Sequence, residues 1–204
     1  MAHIKMHTGF TLVEMLVTIA ILVILMTLAV PSFTSLLASW KLKAVADNIF
    51  SGLQLARAEA IRQNTTAVFA LEAATNNWLV TLSSSYDAAV PVTKSPCDVS
   101  VSNYLRRSCG EGGGVTNSAN FTRVEFSSQG RVSAFSQSAT TDASGAVTVV
   151  TVGASSPKVD LSAAGVVNSL SLRIETGGQV RQCDPVTPLP ANARAGDPKY
   201  CENL

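Results

Sequence analysis

The sequence predicts an α+β protein: one long N-terminal α-helix, its first half transmembrane, packed through its second half on a C-terminal antiparallel β-sheet head. Three observations predict this. Phe10 to Val30 runs 21 residues with a single charge, Glu14, and about 20 apolar residues suffice to cross a bilayer core as a helix. Beyond Pro31, apolar residues recur at helical spacing. After Asn64 the period becomes that of strands, with turn-forming residues between them.

The elements follow in order. Residues 1–9 form a short polar leader ending in Gly9. The apolar run then begins at Phe10, and the span is read as residues 10–36. A carboxylate inside such a span costs on the order of 2.5–3.5 kcal/mol, so Glu14 needs a reason. A conventional signal peptide cut after Thr27-Leu28-Ala29 competes, but such apolar regions run only about 7–15 residues. Charge flanking does not orient the span, since Lys5 precedes it and Lys41, Lys43, Arg57 and Arg62 follow it. Pro31 need not end the helix, because a proline inside a membrane helix is tolerated with a kink.

Leu42, Val45, Ile49, Leu53, Ala56 and Ala60 step by three and four residues. They form one face of an amphipathic helix that runs to about Gln63 and stops at Asn64-Thr65-Thr66. The head is read as residues 37–204. Its candidate strands are Ala67–Leu71, Trp78–Ser83, Arg123–Ser127, Arg131–Phe135, Val147–Val152, Ser169–Glu175 and Gln179–Gln182. The stretches Ser83–Ala89, Gly110–Ala119 and Ser136–Gly145 read as loops.

The last hairpin permits a finer reading. A two-residue Gly177-Gly178 loop sets Ile174 opposite Arg181 and mixes the faces. A three-residue Thr176-Gly177-Gly178 loop sets Ile174 opposite Val180 and Arg173 opposite Arg181, which keeps the apolar face whole. It also sets two arginines side by side. Like charges directly opposite are unfavourable, so Glu175 or solvent screens them, or they hold an anion.

Four cysteines, Cys97, Cys109, Cys183 and Cys201, form no C-x-x-C pair. An even count in an exported domain points to disulfides. Of three pairings, the sequence neighbours Cys97–Cys109 and Cys183–Cys201 are the natural choice, and the competing reading is four buried thiols. Each would close a loop of about 12–18 residues, worth roughly 3 kcal/mol in the chain-entropy account.

Chemistry finds little footing. Both histidines, His3 and His7, lie in the leader, so the rest of the chain carries no Ser-His-Asp or Cys-His set and no histidine zinc ligand. Gly110-Glu111-Gly112-Gly113-Gly114 lacks the Lys-Ser/Thr that a phosphate cradle needs. We expect no catalytic residue, no metal, no cofactor and a non-enzyme. From Asn64 onward ten Lys/Arg stand against eleven Asp/Glu, without the basic excess usual in a DNA-binding domain.

Thr8-Gly9-Phe10-Thr11-Leu12-Val13-Glu14-Met15 resembles the N-terminal motif of type IV prepilins and type II secretion pseudopilins. The resemblance implies a prepilin peptidase cut between Gly9 and Phe10 and N-methylation of Phe10. It also implies that the Glu14 carboxylate meets the α-amino group of a neighbouring subunit's Phe10 in a filament. Leu53-Gln54-Leu55-Ala56-Arg57-Ala58-Glu59-Ala60-Ile61-Arg62-Gln63-Asn64 is similar to the L-x-x-A-R-x-E-A-I-x-x-N stretch of the GspH/FimT branch. Phe126 to Val132 resembles its F-x-x-x-G-R turn, and Gly178 to Pro185 its closing G-R-x-R-x-C element, with Gln179 in place of the first arginine. Residues 86–120 match none of these motifs.

The resemblance implies a pilin-like fold and a minor pilin or pseudopilin of the inner membrane with a periplasmic head. Its partners would be other pilins and the peptidase, and its mechanism assembly and filament initiation. A type IV pilus and a type II secretion system stay open. The alternative is a DNA-binding minor pilin for uptake, in which Arg173 and Arg181 would hold the phosphate backbone.

Overall fold

The computed structural model describes residues 10–72, 75–91, 94–110, 112–141, 147–151, 156–185 and 199–201, with backbone alone over 28–32, 137–141 and 147–151. Gly9 with the rest of the leader, Glu111 and the tail 186–198 lie outside the described residues. The chain divides into two compact units that part between Leu37 and Ala38.

Helix α1 is one element, Leu12–Arg62, and contributes to both units. In the first unit every described side chain on it is exposed. In the second, Leu42, Val45, Ile49, Leu53, Ala56 and Ala60 are all buried, as the three-and-four spacing predicts. Gly52 lies on the same face. A Cβ there would sit 2.8 Å from the Phe69 ring and 3.0 Å from the Trp78 indole, so only glycine lets the helix come this close to those rings. Asn64 ends the helix in a left-handed conformation, φ 48°, a common helix-ending device.

Ten strands follow: β1 Ala67–Leu71, β2 Trp78–Leu82, β3 Arg106–Ser108, β4 Val115–Ala119, β5 Arg123–Phe126, β6 Val132–Thr141, β7 Val147–Thr151, β8 Lys158–Ala163, β9 Leu170–Ile174 and β10 Val180–Cys183. They form two antiparallel sheets of order β3-β2-β1-β5-β6-β7 and β10-β9-β8-β4. The second half of α1 and both sheets share one core, in which Phe69, Trp78, Phe126, Leu161, Leu172 and Ile174 are the large buried members. The Trp78 indole N–H donates to Asn48 Oδ1 at 2.5 Å, which satisfies its one polar atom. Strands β1 and β2 are buried on both faces. The second face lies under Tyr86, Val90 and Val101, which pack on Ala70 and Leu79.

Four parts of the sequence reading need correction. Arg106–Ser108, expected in no strand, is β3 and pairs with β2. Val115–Ala119, expected as the end of a glycine-rich loop, is strand β4. Its inward position Asn117 is polar and donates to Asn76 Oδ1 at 2.7 Å, which hid the alternation. Ser136–Thr141, also expected as loop, continues β6. Lys158–Ala163 was not expected as a strand, although Val159 and Leu161 are buried between Lys158, Asp160 and Ser162.

Candidate functional site

Three groups of residues carry the features that the sequence singled out. The first is the start of α1. Thr11 Oγ1 accepts the Glu14 N–H at 3.3 Å, and the Thr11 carbonyl accepts the Met15 N–H at 3.2 Å. Thr11 is therefore the N-cap and Glu14 the third helical residue, the spacing of a capping box. The signal T-x-x-E stands in the sequence at this turn. A carboxylate there also faces the positive end of the helix dipole. Phe10 is 79% exposed. Glu14 is exposed and makes no ion pair among the described residues.

The apolar run beyond it hides its few polar groups. Thr18 and Thr27 turn their hydroxyls onto the carbonyls of Met15 and Ile24, at 2.9 and 2.7 Å. Among the described residues no helix is long and apolar enough to cross a membrane; the side chains of 28–32, within the run, are not among them.

The second group is a junction of Arg57, Gly130 and Gly178. In the sequence Arg57 is a position of the L-x-x-A-R-x-E-A-I-x-x-N stretch with no contact assigned to it. In the fold it is half-buried, and its Nε donates to the Gly130 carbonyl at 3.0 Å. Gly130 (φ 73°) and Gly178 (φ 78°) occupy left-handed turns, which glycine adopts without steric cost. A Cβ on Gly178 would lie 1.8 Å from the Gly130 carbonyl oxygen. Val132 N–H donates across to the Thr176 carbonyl at 3.2 Å. The helix motif, the F-x-x-x-G-R turn and the closing hairpin, far apart in sequence, thus meet at one point and join α1 to both sheets.

The third group is the outer face of the second sheet. The loop Thr176-Gly177-Gly178 pairs Ile174 with Val180 and Arg173 with Arg181, and Lys158 pairs with Arg173 from the other side. Three cations thus stand in line across β8, β9 and β10. Two have carboxylate partners: Arg181 Nε lies 2.8 Å from Glu175, and Lys158 Nζ 3.1 Å from Asp160. Arg173 is half-buried, and its Nε has no hydrogen-bond partner among the described residues.

The cysteines form two bridges, Cys97–Cys109 and Cys183–Cys201. The first closes the segment that covers β1 and β2. The second holds residues 199–201 beside β10, where Asp184 N–H donates to the Lys199 carbonyl at 2.7 Å and Cys201 N–H to the Asp184 carbonyl at 3.0 Å.

Comparison with known proteins gives two family matches. The family described as Type II transport protein GspH matches residues 45–165. The prokaryotic N-terminal methylation motif matches residues 4–30. No curated protein sequence matches the chain. Among solved structures, the type IV minor pilin FimU of Pseudomonas aeruginosa is 14% identical, with a TM-score of 0.46 over 69% of this chain and 90% of that one. The minor pseudopilin EpsH from the type 2 secretion system of Vibrio cholerae is 11% identical, with a TM-score of 0.42 over 71% of this chain and 97% of that one.

Proposed function

The chain belongs to the GspH family of minor pilins and pseudopilins, and on that premise we propose that it works by assembly into a filament. Prepilin peptidase cuts between Gly9 and Phe10, and the new N-terminus is methylated. Residues 10–36 hold the protein in the inner membrane with the head, 37–204, in the periplasm. It then enters a type IV pilus or type II pseudopilus, where it helps initiate the filament. The peptidase, the membrane and other pilins are its partners.

The observation that carries this reading is the start of α1. Glu14, a carboxylate with no ion pair among the described residues, sits in the capped first turn of a helix whose described side chains up to Leu37 are exposed. Such a helix needs an apolar environment, and such a carboxylate needs a cation. A neighbour's Phe10 amino group supplies one, since burying either charge alone is costly.

Two measurements test it. The intact mass of the membrane-extracted protein should correspond to a methylated Phe10 start; a start at Val30 would remove the pilin reading. Glu14→Ala should keep its place in the membrane fraction, because losing the charge makes the span more apolar. Its share in sheared filaments should fall about tenfold or more, because the partner amino group is then left buried and unpaired. Equal incorporation of the two proteins would exclude an assembly role for Glu14.

A further inference from the structure

Charge along α1 marks a boundary beyond the apolar run itself. From Met15 to Trp40 the chain has no Asp, Glu, Lys, Arg or His, and the run ends in Trp40-Lys41-Leu42-Lys43. Pro31 lies inside the helix, which is one element over Leu12–Arg62. At about 1.5 Å per residue, these 26 positions cover roughly 39 Å along the helix. That exceeds a hydrocarbon core of about 30 Å and approaches the roughly 40–45 Å that includes both headgroup layers.

The first turns of the head unit face two ways. Leu42 and Val45 are 2% and 4% exposed, whereas Trp40 is 61% exposed. Lys41 and Lys43 are exposed beside it. The second tryptophan, Trp78, is 1% exposed in the core. An outward indole has a large apolar body and one N–H donor. Lysine stems lie along apolar surface while their ammonium groups reach water or phosphate. Tryptophan concentrates at the headgroup level of membranes for this reason. A protein partner fits less well: the cores of protein interfaces are depleted of lysine, and two lysines flank this tryptophan.

We propose that Trp40, Lys41 and Lys43 form an anchor in the outer headgroup layer, and that it sets the depth of the head before assembly. The indole lies among the glycerol and upper acyl groups, and the two ammonium groups meet lipid phosphates. The proposal rests on the membrane-anchored reading above and moves the exit from the bilayer to Trp40.

The test uses the full chain reconstituted in phosphatidylcholine–phosphatidylglycerol vesicles. Flotation establishes insertion. Tryptophan emission is then read with lipids brominated near the headgroup or near the acyl end, and with aqueous acrylamide. Shallow bromines should remove roughly half the emission, the share of one tryptophan of two. Deep bromines should remove less, and Trp40→Phe should abolish the effect. Quenching by acrylamide without quenching by bromolipid would overturn the anchor and leave the membrane reading intact. Emission that neither quencher reaches would mean that protein covers Trp40, which overturns it equally. A chain that fails to float would overturn both.

Discussion

The two halves of α1 use the same residues and meet different surroundings. Leu22, Ile24 and Leu25 are 52%, 62% and 61% exposed, whereas Leu42, Ile49 and Leu53 are at most 2% exposed. Hydrophobicity alone does not separate them. In the first half apolar side chains point in every direction, so no single packed face could cover them, and a surrounding environment is required. In the second half they form one stripe, with Lys41, Lys43 and Asp47 exposed elsewhere on the helix, and the sheets of the same chain cover that stripe. The first half carries a demand for lipid or neighbouring helices, and the second carries the stability of the head.

The seat of the second half is where the largest effect is expected. Gly178→Ala puts a Cβ 1.8 Å from the carbonyl oxygen to which Arg57 donates, at a residue with φ 78°. Backbone at both turns would have to move. We expect a loss above about 4 kcal/mol, read by urea unfolding of the full chain in detergent followed by circular dichroism. Gly177→Ala is the control. It meets no atom within 4 Å and should cost less than about 1 kcal/mol. Equal effects of the two would show that the junction contributes nothing.

A matched pair of substitutions sharpens the contrast next. Leu53→Ala should destabilise the head by about 2–5 kcal/mol, the usual range for a buried leucine. Leu22→Ala should change the same unfolding midpoint by less than about 0.5 kcal/mol, as exposed positions do. A comparable loss from Leu22→Ala would mean that the first half also packs on its own chain.

What the sequence made legible follows the same division. Helical spacing from Leu42 to Ala60 identified the buried stripe, because a periodic pattern reports one-sided burial directly. Strand β1 was bounded correctly because its apolar residues stand between turn signals. Strand β4 was missed because Asn117 takes an inward position and is satisfied by side-chain hydrogen bonds, which only the folded chain supplies. The role of Arg57 was hidden for a related reason. Its acceptor is a backbone carbonyl 73 residues away, and a main-chain acceptor has no residue type to recognise. The cap at Thr11 was legible and was eclipsed by the apolar run that follows it.

The smallest expected effect is at the far end of α1, where a charged cluster ties the solvent side of the last turn while Ala60 is buried on the other. Glu59 Oε2 accepts Arg62 Nε at 2.9 Å, Arg62 Nη2 at 2.7 Å and Gln63 Nε2 at 2.9 Å. The Arg62 hydrogen bonds first, and that of Gln63 second, hold the Glu59 carboxyl below its ordinary value. A carboxylate with a depressed folded-state pKa stabilises the fold above its unfolded pKa. That contribution is lost as pH falls through the lower, folded value. Arg62 is itself largely exposed, so solvent screens the pair. Glu59→Gln should therefore lower the melting temperature at pH 7 by less than about 2 °C. The difference from wild type should shrink as pH falls below the ordinary glutamate value and through the lower, folded one, where the wild-type carboxyl also protonates. It should shrink again in about 1 M salt, where screening is short-ranged. A difference that persists unchanged at low pH would mean that Glu59 acts through packing, and the end of the helix would then resemble its buried stripe more than its charged surface.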